Sequence, residues 1–231
     1  MTCMYSAEWF EMFSATVPSA FVEADLRGIA GVLPADTHRR ILDVGCGIGR
    51  IAGPLAARGY AVTGLDVNLE ALRTAQRRAP GPRYVALDQC HSGRMRWVFD
   101  GALVLWNSLG FAGRRSDRDT LAGLAQVVRP GGKVVLDLYH PDWLRRNEKS
   151  GERDPRGPVV SRWLRDGRCC HEIRYPNGRV DDIQFNVYQP AEIRALARRA
   201  GLQPQVDMVW WNPDSRPSPD APRYQLVCTR P

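Results

Sequence analysis

Residues 41–50 read Ile-Leu-Asp-Val-Gly-Cys-Gly-Ile-Gly-Arg, and this stretch decides the fold of the 231-residue chain. A short apolar run ends in Asp-Val, glycine then recurs at every second position, and an apolar helical pattern begins at Ile51. Glycine adopts the left-handed backbone of a tight turn and lets a ligand approach where a Cβ would block it. The free N–H groups of the following helix face the same turn. The stretch therefore predicts a strand, a turn and a helix that together can bind a nucleotide-like ligand.

The glycine spacing separates several kinds of nucleotide site. A dinucleotide fingerprint has the form G-x-G-x-x-G. Counted from Gly45, that pattern needs glycine at position 50, where the chain has Arg50. No G-K-[ST] follows either, so a P-loop is excluded. An NAD-dependent oxidoreductase is disfavoured.

Two helical patterns precede this stretch, and strand and helix patterns alternate after it, which indicates a parallel sheet covered on both faces. Asn-Gly at 177–178 marks a hairpin among three short apolar patterns at Val159–Leu164, Arg168–Tyr175 and Val180–Tyr188. We therefore expect an antiparallel meander inserted after the fifth strand. The predicted organisation is an N-terminal helical cap at 1–37, a core at 38–157 and 189–231, and an insertion at 158–188 that acts as a lid.

The segment Asp43–Arg50 resembles the first motif of class I S-adenosylmethionine-dependent methyltransferases. Val128–Lys133 resembles the L-x-P-G-G turn before the fifth strand of that family, and the resemblance extends over about residues 38–139. It implies an α/β fold with a Rossmann-like, seven-stranded, mostly parallel sheet, helices on both faces, and S-adenosylmethionine as cofactor. In this motif the candidate cofactor-binding residues, next to the methionine part, are Asp43, Gly45, Cys46, Gly47, Gly49 and Arg50.

Acidic residues also follow the second and third predicted strands. Asp66 stands where such folds place the carboxylate that accepts hydrogen bonds from the ribose hydroxyls. By the same resemblance, Asp88 contacts the amino group of adenine. The candidate cofactor residues after the later strands are Asp66, Val67, Asn68, Asp88, Trp106 and Asn107.

The segment after the fourth strand bears on the methyl acceptor. It lacks the D/N-P-P-Y/F motif of enzymes that methylate DNA amino groups, and its N-S-x-G-F run resembles bacterial enzymes that act on small molecules, including those of secondary metabolism. We expect N- or O-methylation of a small molecule by in-line displacement. His140 is a candidate general base beside Tyr139. The candidate substrate contacts are Tyr5, Trp9, Ser108 and Tyr188.

The net charge of +7 leaves a second reading open, which is methylation of RNA or another nucleic acid. It is not favoured, because the arginines are scattered along the chain rather than grouped. A third reading is a cofactor-binding protein with a cyclase or regulatory role, since a fold does not fix a function.

The cysteines and the apolar runs of the sequence indicate the cellular compartment that we expect for the protein. None of the six cysteines forms a C-x-x-C pair, so we expect reduced thiols, Cys3 included, and no metal site. No apolar run reaches the roughly 18 residues that span a bilayer. Residues 1–13 lack the basic start of a signal peptide. We expect a cytoplasmic protein with no membrane partner, and either a monomer or a homodimer.

Overall fold

The computed structural model describes residues 5–96, 98–111, 113–155 and 157–231. Residues 1–4 lie outside these ranges. They include Cys3 and the start of the segment that lacks a signal-peptide pattern. Two helices precede the sheet, α1 (Ala7–Thr16) and α2 (Ser19–Val32). Within the described residues, no helix combines the length and the apolar content needed to cross a membrane.

Two separate sheets contain the strands of the described chain. The strands are β1 (Arg40–Val44), β2 (Ala61–Asp66), β3 (Arg83–Ala86), β4 (Phe99–Val104), β5 (Val128–Tyr139), β6 (Lys149–Arg153), β7 (Val159–Arg165), β8 (Arg168–Arg174), β9 (Val180–Asn186), β10 (Gln203–Met208) and β11 (Arg223–Thr229).

The larger sheet has seven strands in the order β3-β2-β1-β4-β5-β11-β10. Strands β1 to β5 run parallel, whereas β11 is antiparallel to β5 and β10 is antiparallel to β11. This mixed α/β sheet confirms the predicted fold class.

Helices cover both faces of the large sheet. They are α2 and, further along the chain, α3 (Ala52–Ala57), α4 (Leu69–Arg78), α5 (Arg114–Val127) and α7 (Pro190–Arg199), with a 3-10 helix at Gln89–Arg94. The short helix α6 (Pro141–Arg146) instead packs through Leu144 in a separate core with residues of β8 and β9. Side chains on a strand alternate between faces. Accordingly Leu42 packs in a core with Leu121 of α5, and its neighbour Ile41 packs in a second core with Leu26 of α2.

The smaller sheet is antiparallel and has four strands in the order β6-β7-β8-β9. Three of them match the predicted meander, and β6 is additional. The β6 sequence Lys-Ser-Gly-Glu-Arg is polar and largely exposed, so it carries no alternating apolar signal. Helix α6 is also additional, because six residues are too few to show a helical period. The domain boundaries at 37, 157 and 188 stay predictions.

The predicted turn at 129–132 needs a correction, because these residues lie within β5 as a bulge. Phe99 pairs with Val128, but Gly101 pairs with Lys133. The four residues 129–132 of β5 therefore lie opposite a single residue of β4, Asp100. The Asp100 carboxylate holds the bulge by accepting a hydrogen bond from Arg129 Nε at 2.8 Å.

Candidate cofactor site

A cavity of about 210 Å³ lies at the carboxyl ends of the parallel strands. Ligands of open α/β sheets bind at this edge. The glycine turn after β1 forms part of its wall, together with the residues that follow β2, β3 and β4. The N-terminal segment adds Tyr5, Trp9 and Phe10 to the wall, and Phe111, Tyr139 of β5 and Phe185 of β9 complete its aromatic part. The candidates from the sequence that line it are Asp43, Gly45, Cys46, Gly47, Arg50, Asp66, Val67, Asn68, Asp88, Trp106, Asn107, Ser108, Tyr5, Trp9 and Tyr139.

The three glycines of the first turn all have the left-handed backbone that favours glycine. Their φ angles are 70° at Gly45, 52° at Gly47 and 80° at Gly49. A Cβ at Gly45 would lie 2.6 Å from the side chain of Ser108, and one at Gly47 would lie 2.8 Å from the ring of Phe10. These glycines therefore serve the turn and the close packing of neighbouring protein groups. Gly45 and Gly47 also line the cavity, and the close approach of a ligand to them stays a prediction.

Asp66, at the end of β2, is joined to the glycine turn. One carboxylate oxygen accepts the backbone N–H of Gly47 at 2.8 Å, and the other accepts that of Asn68 at 2.9 Å. Burial raises the pKa of Asp66, and these N–H donors oppose that rise. Each oxygen keeps a lone pair. The fixed carboxylate can therefore accept the two hydroxyls of a ribose as well.

Asn68 lines the same cavity but also has a structural task. Its side-chain oxygen accepts the N–H groups of Glu70 and Ala71, which caps the start of α4. Val67, the neighbouring candidate, is partly exposed at the cavity.

Asp43 is a buried carboxylate at the glycine turn. Its Oδ2 is shielded from solvent and has no hydrogen-bond partner within the described residues. Burial raises the pKa of Asp43 to about 7, although the positive charge of Arg50 opposes the rise. An ammonium group beside this oxygen would satisfy it, since a buried acceptor without a partner is costly.

Arg50 offers the opposite charge at the same end of the cavity. Its guanidinium carbon lies 4.2 Å from the ring centroid of Trp106, whose indole N–H donates to Asp25 at 2.7 Å. One end of the cavity thus presents a carboxylate and a guanidinium, the complement of a zwitterionic amino acid. The residues present fit the methionine part of S-adenosylmethionine.

The turn after β4 holds two residues in an unusual backbone conformation. Trp106 and Asn107 have φ angles of 53° and 59°, which side chains other than glycine rarely adopt. The carboxylate and carbonyl of Asp137 accept their backbone N–H groups at 2.8 and 2.9 Å. The side-chain oxygen of Asn107 in turn accepts the N–H of Tyr139 at 3.1 Å. Hydrogen bonds to β5 therefore fix the shape of this wall.

Asp88 and Gln89 follow β3. An oxygen of Asp88 accepts the N–H of Cys90 at 3.0 Å and begins the 3-10 helix. Gln89, which the sequence analysis did not select, lines the cavity and donates from Nε2 to the carbonyl of Ser108 at 3.0 Å. The only sequence signal for Gln89 is its place directly after Asp88.

Aromatic side chains form a connected group in the cavity wall. Tyr5 stacks on Trp9 with 3.8 Å between ring centroids, and Phe111 lies 5.8 Å from Tyr5. Phe185 continues the wall at 5.6 Å from Phe111 and 6.1 Å from Tyr139. Burial raises the pKa of Tyr139, so its phenol stays protonated at neutral pH.

Three candidates do not line the cavity, namely Gly49, His140 and Tyr188. His140 begins α6, where its Nδ1 accepts the N–H of Asp142 at 3.3 Å. Tyr188 is buried and donates its hydroxyl to the carboxylate of Asp117. The catalytic role of His140 and the substrate contact of Tyr188 stay untested predictions that this placement does not favour. Within the described ranges, no three His, Cys, Asp or Glu side chains are grouped as metal ligands would be.

The comparisons with known proteins agree with this geometry. Residues 41–132 match the family described as Methyltransferase domain. The chain is 33% identical over 136 residues to an S-adenosyl-L-methionine-dependent Diels-Alderase of Talaromyces variabilis, covering 55% of the chain and 44% of that relative. It is 38% identical over 96 residues to a malonyl-(acyl-carrier protein) O-methyltransferase of Salmonella typhimurium, covering 42% and 37%. The chain thus spans less than half the length of these curated relatives.

Two solved structures show the same fold at low identity. The SAM-bound amino pentose methyltransferase CalS10 of Micromonospora echinaspora has a TM-score of 0.73 at 22% identity, covering 99% of this chain and 98% of that one. The sugar N-methyltransferase KedS8 of a Streptoalloteichus species has a TM-score of 0.72 at 18% identity, covering 100% and 97%. Residues 41–132 therefore match a methyltransferase domain, as the sequence motifs indicated, and the chain shares the fold of the S-adenosylmethionine-dependent methyltransferases.

Proposed function

We propose that this protein transfers the methyl group of S-adenosylmethionine to the amine nitrogen of a small molecule. The observation that carries this proposal is the lining of the cavity, in which charged residues that fit the polar groups of the cofactor lie beside a connected group of aromatic rings. When bound, the cofactor supplies an electrophilic methyl carbon on a cationic sulfur. Tyr5, Phe111, Tyr139 and Phe185 line the cavity, and the faces of aromatic rings attract cations.

The residues of the chain act by binding and orientation. Asp43, Arg50 and Asp66 would hold the cofactor at its polar groups, while Tyr5 and Trp9 of the N-terminal segment exclude water from the reacting end. Holding an acceptor in line with the sulfonium carbon can supply much of the acceleration. No histidine of the described chain lines the cavity, so alignment carries the mechanism in this proposal.

The choice of nitrogen over oxygen draws on the solved structures. CalS10 and KedS8 are named as an amino pentose methyltransferase and a sugar N-methyltransferase, and each is covered almost over its whole length, including the region of the small sheet. Amino sugars are therefore the first acceptors to test, with phenols and alcohols as the comparison.

A cyclase is the second candidate function. The 33% identical relative is named as a Diels-Alderase that depends on S-adenosylmethionine. Such a protein would bind the cofactor without consuming it. The nucleic-acid alternative has only the net charge of +7 in its favour.

The test is a methyl-transfer screen with purified protein and S-adenosylmethionine. Nucleotide-linked amino sugars, phenols and alcohols serve as acceptors, and mass spectrometry detects the methylated product together with S-adenosylhomocysteine. A product that depends on an amine and gains 14 mass units supports the proposal. Tight cofactor binding without transfer to any acceptor would favour the cyclase, and transfer only to RNA would favour the nucleic-acid reading.

A further inference from the structure

We propose that Asp25 of α2 is a positioning residue, which holds the Arg50 guanidinium at Trp106 and keeps it away from Oδ2 of Asp43. One carboxylate and one guanidinium then stay available to the amino-acid part of the cofactor. The inference rests on the cofactor part of the proposed function, because it requires S-adenosylmethionine in the cavity. It is independent of the methyl acceptor.

Asp25 joins three segments of the chain. Its Oδ2 accepts the indole N–H of Trp106, in the turn after β4, at 2.7 Å. Its Oδ1 accepts the indole N–H of Trp211, in the loop after β10, at 2.9 Å. A Cβ on Gly28, three residues further along α2, would lie 2.1 Å from the ring of Trp211, so the helix leaves room for that indole. Two donors from separate segments therefore fix the Asp25 carboxylate.

The same carboxylate faces a guanidinium that lines the cavity. Nη1 of Arg50 lies 4.0 Å from Oδ2 of Asp25, and the two side chains are only 17% and 14% exposed. Burial lowers the pKa of Arg50, and the charge of Asp25 opposes this more strongly than that of Asp43 does. Of these two carboxylates, Asp25 is thus the stronger counter-charge for Arg50.

A second guanidinium increases the need for this counter-charge. The buried Arg223 of β11 pairs with Asp137. Its guanidinium carbon lies 4.1 Å from the ring centroid of Trp106, compared with 4.2 Å for Arg50. Burial lowers the pKa of Arg223 to about 9, the charge of Asp25 opposes this fall, and that of Arg50 adds to it. Two cations therefore share one indole ring, and Asp25 offsets their repulsion.

Asp43 is the alternative partner for Arg50. Its Oδ2 is shielded from solvent and accepts no hydrogen bond within the described residues. The charge of Arg50 already reaches it, because it opposes the rise in the pKa of Asp43. If Asp25 loses its charge, Arg50 moves to this oxygen. A pair formed inside the protein occupies the groups that would bind the ammonium and the carboxylate of the ligand, so the amino-acid part loses both partners.

The experiment compares a ligand with the amino-acid part, S-adenosylhomocysteine, and one without it, 5′-methylthioadenosine. Both are titrated by calorimetry, directly or in competition, into the full-length wild type, Asp25→Asn and the control Glu23→Gln. We expect the wild type to bind S-adenosylhomocysteine at least about tenfold more tightly. In Asp25→Asn this ratio should fall about tenfold, through weaker binding of S-adenosylhomocysteine alone. Glu23→Gln removes an exposed carboxylate of the same helix and should keep the ratio.

Two further readouts separate positioning of Arg50 from bracing of the fold. Trp211→Phe removes one hydrogen bond to Asp25 and keeps its charge, so the ratio should fall less than in Asp25→Asn. In an Arg50→Gln background, Asp25→Asn should have no further effect on the ratio, because the two residues act as a unit.

The pH dependence gives an independent check. Once Arg50 pairs with Asp43, that carboxylate stays ionised, so the affinity of Asp25→Asn for S-adenosylhomocysteine should change less between pH 6 and pH 8 than that of the wild type. Asp66, the other charged side chain that acts on Asp43, is the same in both proteins.

Five outcomes would overturn the inference. They are equal wild-type affinity for both ligands, an unchanged ratio in Asp25→Asn, an equal loss for both ligands in that variant, an equal loss in Trp211→Phe, and a further loss in the Arg50→Gln background. If Asp25→Asn does not fold, as judged by circular dichroism, Asp25→Ser takes its place, since its hydroxyl can accept from one indole. A wild type that binds neither ligand would overturn the cofactor site itself, which separates failure of the proposed function from failure of this inference.

Discussion

The carboxylate of Asp66 accepts the backbone N–H of Gly47 at 2.8 Å, and this bond ties the end of the second strand to the glycine turn after the first. The other oxygen of the same carboxylate accepts the N–H of Asn68, at the start of α4. A single side chain thus fixes two of the loops that line the cavity. Cofactor binding and local structure are coupled at this residue.

Replacement of Asp66 should weaken cofactor binding strongly. Hydrogen bonds to a charged group are worth about 1.5–3 kcal/mol, so we expect Asp66→Ala to lower the affinity for S-adenosylmethionine by about 10–100-fold. Asp66→Asn keeps an acceptor for the N–H of Gly47, so its affinity for S-adenosylmethionine should fall less. Calorimetric titration measures both, with Asp36→Ala on an exposed loop as the control. Wild-type affinity in Asp66→Ala would remove this carboxylate from the site.

The buried carboxylate of Asp43 should make cofactor binding depend on pH. Burial raises its pKa from 3.8 to about 7, so it is mostly protonated at pH 6 and mostly ionised at pH 8. If the ionised form pairs with the ammonium of the cofactor, the affinity should rise about tenfold over that range. In Asp43→Asn this dependence should disappear. The same pH slope in the variant and the wild type would contradict the pairing.

The same pKa has a consequence for stability without ligand. Because the folded-state pKa of Asp43 lies above its unfolded value, the folded state binds the proton more tightly. The contribution of Asp43 to stability is therefore present below about pH 4 and is lost as the pH rises toward 7. Urea unfolding measures this at pH 5 and pH 7. As the pH rises from 5 to 7, the free energy of unfolding should decrease less in Asp43→Asn than in the wild type. An identical decrease in both would exclude Asp43 as the cause.

Gly47 should not tolerate a side chain. Its φ of 52° disfavours alanine, and the new Cβ would lie 2.8 Å from the ring of Phe10. We expect Gly47→Ala to lower the free energy of unfolding by about 1–2 kcal/mol. In a Phe10→Ala background the cost should be smaller, because only the backbone strain remains. Gly31→Ala on α2 is the matched control: its Cβ would meet no atom within 4 Å, so we expect a stabilisation of about 0.5–1 kcal/mol.

The parallel core could be predicted because apolar strands and a glycine turn are local patterns. The motif residues other than Gly49 lie with Asp66 at one cavity, and their roles in cofactor binding stay predictions. Strand β6 could not be predicted in this way, because its pairing depends on β7 and its own five residues are polar and largely exposed. Gln89 was missed for a similar reason. Its orientation comes from a carbonyl 19 residues away, which no local spacing reveals.

The N-terminal helix should act as a gate for the cofactor. The hydroxyls of Ser6 and Tyr175 both donate to the Asp181 carboxylate on β9, at 2.8 and 2.9 Å. This shared carboxylate holds the segment of Tyr5 and Trp9 against the small sheet. We expect Asp181→Ala to increase the dissociation rate of S-adenosylmethionine several-fold, measured by stopped-flow tryptophan fluorescence. Asp182→Ala, on the opposite face of the same strand, should leave the rate unchanged, and equal rates in all three proteins would argue against the gate.

The ring of His140 should matter for stability and leave turnover intact. Its Nδ1 accepts the N–H of Asp142 at the start of α6, and His140 does not line the cavity. Loss of such a cap costs about 0.5–2 kcal/mol, so His140→Ala should lower the free energy of unfolding by that amount. Asparagine can also cap a helix, so the free energy of unfolding should fall less in His140→Asn. Once an acceptor is known, methyl transfer at saturating substrate should be unchanged within about twofold in both variants. If turnover falls a hundredfold or more in both while cofactor affinity and folding are retained, His140 acts as the general base that its place after the fifth strand suggested, and alignment alone does not account for the reaction.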